Sequence, residues 1–439
     1  MLRITAALFV ALSSLSARAA DWPQWMGPTR DGVWTETGVT EKFPAKGPRK
    51  VWQVPAGGGY SGPAVVGGRV YLFEYVRTMG DPANDPLKRA ALTGTEQVRC
   101  LDAKTGKELW KHAYACPYAV SYPCGPRCTP TVAGGRVYAL GAMGCLYCLD
   151  AATGKVVWEK DFAKDFKAPV PTWGFAAHPL VLGGVVVCMV GAPGGAVMAF
   201  DAATGEVKWT ALPSEAAGYC PPTVATLNGE KHLVVWHPKG LVGLDPDGGK
   251  VRWHVKLEPL HGMAVAAPRR FGDHLFCGGY DGLSLLLKFE KGTANPKAMW
   301  RGDRDTGVSP TNSTPLIHDG TLYGCCSASG ALRAVALTTG KRLWEDFAPT
   351  TGRKSAPYGT AFLTRNGDLF YLMSETGELV IARLTPTKYE ELGRAKLLEP
   401  TGTAFGRKVA WAAPAFADRH VFVRNDECIA CYDLSAKAK

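Results

Sequence analysis

A short unit recurs along this chain at an interval that few folds can accommodate. CLDAKTGKELW ends at Trp110, CLDAATGKVVW at Trp158, AFDAATGEVKW at Trp209 and GLDPDGGKVRW at Trp253. A weaker copy, AVALTTGKRLW, ends at Trp344, a degenerate one ends at Trp300, and Trp52 stands alone near the start in KVWQVP. Successive Trp residues lie 58, 48, 51, 44, 47 and 44 positions apart, the first gap being lengthened by an insertion around Gly80 to Thr95. Self-similarity at this period marks a repeat architecture in which each unit needs its neighbours to bury its apolar face. A second register runs alongside. Pro63, Pro130, Pro179, Pro222, Pro315 and Pro414 each precede an apolar run, Pro268 does so more loosely, and Ala361 takes the place in GTAFLT. That makes eight openings.

Each opening leads into a turn and a further apolar run, as in VVGGRVYLF, VAGGRVYAL, IHDGTLYG and LTRNGDLFYLM. Gly-Gly, Asp-Gly and Asn-Gly between such runs are hairpin turns, because Gly accepts positive φ. Asp-x-x-Thr-Gly is a second turn, in which Asp caps its own backbone and Gly takes the left-handed position. A third strand enters that turn and a fourth leaves it, ending on a Trp able to dock on the neighbouring unit. Four strands in 45 to 50 residues make a propeller blade. The expected docking residues are Trp52, Trp110, Trp158, Trp209, Trp253, Trp300 and Trp344.

The last unit begins near Pro414 and ends in Cys431-Tyr432-Asp433-Leu434, without a fourth strand or a Trp. Val51 to Pro55 is a fourth strand with nothing before it. The two fragments complete one blade. The reading is therefore all-β: an eight-bladed β-propeller of four-stranded antiparallel blades over residues 51–434, closed by N- and C-terminal strands sharing a blade. Seven blades is the alternative, since the unit after Trp344 lacks its Trp. Residues 20–50 are an N-terminal extension and 435–439 a C-terminal tail.

Residues 1–19 read as a signal peptide. Arg3 supplies the positive start, Ile4 to Leu15 the apolar stretch, and Ala17-Arg18-Ala19 the small residues for cleavage. That stretch is too short to span a bilayer, and no later segment is long and apolar enough. The expected location is periplasmic or extracellular. The 50 Lys and Arg against 39 Asp and Glu leave a net charge of +11, spread along the chain. Outside the cytoplasm this points away from nucleic acid and toward an envelope protein or an anionic polymer, with the chain a monomer. An odd count of 13 cysteines leaves at least one unpaired within the chain. A local disulfide among Cys116, Cys124 and Cys128 is plausible, while Cys188 and Cys277 read as buried thiols.

The units at Asp102 to Trp110, Asp150 to Trp158 and Asp201 to Trp209 resemble the tryptophan-docking repeats of the pyrroloquinoline-quinone (PQQ) repeat superfamily. That superfamily includes the quinoprotein alcohol dehydrogenases and the BamB outer-membrane assembly lipoprotein. The stretch Asp21-Trp22-Pro23-Gln24-Trp25-Met26-Gly27-Pro28, with Asp31-Gly32 after it, resembles the opening of exported BamB-like proteins of this kind. Gly125-Pro126-Arg127, Trp173-Gly174-Phe175 and Arg424-Asn425-Asp426 are similar to recurring motifs of that group. The quinoprotein enzymes imply PQQ over a Trp floor, Ca²⁺ against a carboxylate and an amide, and an Asp base. That constellation has no residue-by-residue counterpart here. Asp281 in GGYDG reads as a hairpin turn, and Cys325-Cys326 as part of a strand, where neighbouring side chains face opposite sides. Cys145/Cys148 and Cys428/Cys431 lack the following His of a haem c site.

Residues just before each opening converge at one mouth of a propeller. Here they are Tyr60, Ser61, Arg127, Trp173, His178, Tyr219, His261, Asn312, Ser313, Tyr358 and Trp411. Such a set suits ligand or peptide recognition; alternatively, it plugs the channel. Neither histidine has a carboxylate at a spacing that suggests a metal. The expectation is a non-catalytic exported propeller that binds a protein partner or an envelope polymer, with no catalytic residue, metal or cofactor. The alternative is a PQQ-dependent dehydrogenase of alcohols or sugars, with PQQ and Ca²⁺ in a rearranged site.

Overall fold

Alternating apolar runs with tight glycine turns form eight antiparallel blades of four strands, one after another around an axis, the first with a short fifth strand, Tyr118–Val120, paired to it. The structure is a computed structural model that describes residues 20–436 other than 87, 214, 215, 294 and 353. The expected signal peptide at 1–19 lies outside the described residues, as do 437–439 of the tail.

The first blade is formed by Ala64–Val66, Arg69–Met79, Ala90–Asp102 and Glu108–Ala115. The innermost strands of the next six are Thr131–Ala133, Leu180–Leu182, Thr223–Leu227, Arg269–Phe271, Leu316–His318 and Ala361–Asn366. The eighth blade holds Ala415–Ala417, His420–Arg424 and Cys428–Asp433, and takes its outer strand, Arg49–Pro55, from the other end of the chain. Register runs from Arg49 opposite Asp433 to Pro55 opposite Cys428. The count is eight, and the ring is closed as the terminal fragments implied. The blade after Trp344 is complete without a Trp of its own, with Tyr389–Lys396 as its outer strand.

Blades bury their middle strands on both faces. Val185–Ala192 is buried at every position but its first, whereas the outer strand Glu108–Ala115 alternates exposed and half-buried residues. The repeated turn explains how one blade grips the next. Asp102 Oδ1 accepts from the Lys104 and Thr105 amides and from Thr105 Oγ1 at 3.1, 2.9 and 2.7 Å. The Thr105 hydroxyl is the main cause that holds this carboxyl below the usual range. Gly106 follows with φ +72°, and a Cβ there would meet the Trp52 ring at 2.8 Å. The Trp52 indole N–H donates to Ala103 O at 2.8 Å. Trp110 and Trp158 dock in the same way on Ala151 O and Ala202 O, and Trp300 and Trp344 on Leu337 O and Thr385 O. Trp209 lies over Gly249, with its indole nitrogen buried and unpaired. Trp253 departs from the pattern: its N–H reaches His232 Nδ1 at 3.4 Å, and its ring meets Phe289 of the next blade edge-on.

All thirteen cysteines are free thiols, and no disulfide joins Cys116, Cys124 and Cys128. Cys128 sits in the core below Phe175 O, and Cys116 lies beside Cys145 of the next blade. Cys325 Sγ accepts from the Ala361 amide at 3.3 Å and Cys326 Sγ lies 3.3 Å from Ser309 Oγ, so the adjacent pair is structural. Asp281 is at a turn with φ 60° and pairs with Arg304.

His237, at the end of the strand Glu230–His237, is buried, and desolvation with His254 and Lys239 nearby pushes its imidazole down to about 4. The unfolded chain therefore takes up this proton first as pH falls. The stability contributed by neutral His237 is complete above about pH 6.5 and is lost as pH falls toward 4, up to about 3 kcal/mol. Urea midpoints at pH 7.5 and 5 should differ more in the native protein than in His237→Gln. An equal difference would contradict this assignment.

Candidate functional site

Loops joining the outer strand of one blade to the inner strand of the next gather at one end of the axis and surround a cavity of about 820 Å³. Its wall includes Tyr60, Arg127, Trp173, His178, Tyr219, His261, Asn312, Ser313, Tyr358 and Trp411. Ser61 faces away: it is fully buried, and its hydroxyl donates to Phe73 O at 2.6 Å. The position before the inner strand thus delivers ten of the eleven expected residues to one wall, because every blade enters the ring in the same orientation.

The side chains of this ring do not fill the channel. The N-terminal extension closes it from the other end. Trp22 pairs with Val65, Pro23 O accepts from the Val132 amide, and the Trp34 amide donates to Arg365 O. Further on, the Thr40 amide donates to Leu434 O. Between these points Arg30 donates to Pro179 O and His178 O at 2.8 and 3.1 Å, and Arg269 donates to Arg30 O and Asp31 O at 2.9 and 2.7 Å. Burial lowers both guanidinium groups to about 10. Trp25 and Met26 form the floor, with Trp25 stacked on His178 at 4.9 Å. His178 Nδ1 accepts from the Thr129 amide at 2.9 Å, and burial holds the ring neutral, so its proton lies on Nε2.

Aromatic groups dominate the rim. Trp173 and Tyr219 are 5.5 Å apart, and Tyr122 and Trp411 are 6.2 Å apart. Tyr358 stacks on Phe405 at 4.5 Å and on Tyr280 at 5.7 Å. Phe405 is the exposed tip of a hairpin formed by Gly402–Ala404 and Arg407–Val409. Four rim residues hold left-handed backbone: Tyr122 at φ 53°, His261 at 55°, Tyr358 at 59° and Phe405 at 49°. For bulky side chains this is rare and costs of order 1–3 kcal/mol each.

Two polar assemblies hold the rim. Arg127 donates to the carbonyls of Trp173, Ser121, Tyr122 and Gly125 and lies 5.2 Å over the Tyr60 ring. Glu375, fully buried, accepts from Arg407 Nε at 2.8 Å and from the Trp411 indole at 2.9 Å. Asn312 donates to Tyr358 O, and Ser313 Oγ accepts from Thr360. Thr311 Oγ1 is buried in the wall without a hydrogen-bond partner among the described residues. The sequence reading missed Tyr122, Tyr280 and Phe405 because they lie off the blade register, and Thr311 although it directly precedes Asn312. It missed Glu375 and Arg407 because they act through Trp411. The Asp21–Pro28 motif was visible, but its place in the floor was not.

The family described as outer membrane protein assembly factor BamB matches residues 94–264. Quinohemoprotein alcohol dehydrogenase from Comamonas testosteroni has a similar fold, with TM-score 0.60, 16% identity, and coverage of 95% of this chain and 81% of that one. Residues 94–264 are thus similar to the BamB family, and the fold of the chain is an eight-bladed β-propeller. Quinohemoprotein alcohol dehydrogenase ADHIIG from Pseudomonas putida HK5 aligns with this propeller at TM-score 0.57 and 15% identity, over 96% and 81% of the two chains. BamB from Moraxella catarrhalis aligns at TM-score 0.42 and 16% identity, over 88% and 99%. At such identities the likeness concerns the fold alone. No curated protein matches the sequence.

The propeller has no carboxylate in the described wall, whose ionisable groups are Arg127, His178, His261 and tyrosines. Ca²⁺ is a hard cation that needs oxygen donors including carboxylates. Asn312 alone does not supply them, so the wall does not fit the Ca²⁺ and Asp-base set that the resemblance implied. Among the described residues no group of three or more His, Cys, Asp or Glu is arranged to hold a metal, and no helix is long and apolar enough to cross a membrane.

Proposed function

We propose that this chain is an exported, non-catalytic propeller that binds a segment of a protein partner or an envelope polymer in its aromatic mouth. The observation that carries this reading is the strained rim. Tyr122, His261, Tyr358 and Phe405 hold costly backbone to present their rings to a cavity that stays open. Strain of this kind is retained where it positions groups for a ligand. The dehydrogenase alternative would require an acid–base carboxylate at the reacting centre, and the described wall offers none.

Pull-down from envelope extract with the native protein, Trp173→Ala and Trp411→Ala tests the reading. Both variants should keep the fold by circular dichroism and lose most of the captured partner, since truncating a central aromatic anchor costs about 2 kcal/mol or more, about thirtyfold in affinity. An unchanged set of partners would remove the mouth as the binding site.

A further inference from the structure

The cavity has the size of a small-ligand pocket, whereas a globular partner needs a broad interface of more than about 1,000 Å². Its contents narrow the ligand further. Paired rings, Trp173 with Tyr219 and Trp411 with Tyr122, offer flat apolar faces to the mouth. Asn312 and His178, the latter with its proton on Nε2, line the same wall. These groups suit hydroxyls. The fixed charge of the wall is positive. Arg127 is bound to carbonyls, as is Arg30 behind Trp25, so neither meets a carboxylate in those bonds. Nearby carboxylates are engaged elsewhere: Glu375 with Arg407, Asp281 with Arg304, and Asp426 with the Gly59 amide and Thr401. Asp85 stands beside Tyr122 at the rim. A low-dielectric funnel focuses such a positive field, and the chain carries +11 overall.

We infer that the mouth takes the end of an acidic oligosaccharide, with sugar faces on the Trp173 and Trp411 pairs and a uronate carboxylate drawn toward Arg127. This rests on the binding reading above and names the ligand class of that same mouth.

The test is titration of the full protein, followed by tryptophan fluorescence and calorimetry, with tetragalacturonate and with its fully methyl-esterified form. The ester keeps the skeleton and removes the charge, so no Arg127 variant is needed. The acid should bind saturably and about tenfold tighter than the ester at low salt. That preference should shrink as salt rises. Trp173→Ala and Trp411→Ala should each weaken binding about fivefold or more. Equal binding of acid and ester, no saturable binding, or indifference to both Trp variants would each overturn the inference. If uronate binding fails while the pull-down still depends on Trp173 and Trp411, the ligand class falls and the binding reading stands. If both fail, both readings fall.

Discussion

Replacing Trp34 with alanine should lower the unfolding free energy by about 3–5 kcal/mol, the usual loss for a large aromatic removed from a packed site. Trp34 is 2% exposed. Its ring lies against Tyr371 at 5.3 Å and Phe416 at 5.0 Å, on the seventh and eighth blades, and its indole N–H donates to Glu36 Oε2 at 2.8 Å. Glu36 in turn accepts from the Arg419 amide at 2.7 Å. Trp34 therefore pins the N-terminal extension to the two blades next to the ring closure. Urea denaturation measures the loss, and Trp34→Phe should recover much of it by keeping a ring between Tyr371 and Phe416. A loss below about 1 kcal/mol, the level of an ordinary single substitution, would show that the extension is not integral to the folded propeller.

Glu375→Ala should be the most damaging change at the rim. It leaves the Arg407 guanidinium and the Trp411 indole without their shared acceptor. Removing one partner of a buried ion pair costs about 3–5 kcal/mol because the remaining charge stays desolvated. Arg407 keeps 22% of its side-chain exposure, so the lower end is expected. Glu375→Gln keeps an acceptor for Trp411 and should lose less. A double-mutant cycle with Arg407→Ala separates the pair from its surroundings. A coupling near zero would show that the Glu375–Arg407 ion pair does not hold the rim.

The architecture was legible in the chain because each blade is a local object. Its hairpins use Gly at positive φ, its Asp-x-x-Thr-Gly turns bond within four residues, and its Trp meets the next unit at a fixed spacing. Ring closure was equally legible, since an outer strand without a blade at Val51 and a blade without an outer strand at Asp433 fit each other. The rim was legible to the extent that it follows the blade register. Trp253 shows where local reading stops: its turn, Asp245-Pro246-Asp247-Gly248-Gly249, keeps the repeat pattern, yet its ring is held by His232 and Phe289.

The sequence by itself determined the blade, the count of openings, the closing strand and which residues lead into the inner strands. Those properties depend on bonds and spacings within one unit. Tertiary structure alone decided that thirteen thiols stay free, that Glu375 and Arg407 hold Trp411, and that the mouth is an open cavity. It also decided that the extension bonds to six of the blades to form the floor. Each of these depends on side chains far apart in the chain meeting across a closed ring, and no local pattern encodes which of them meet.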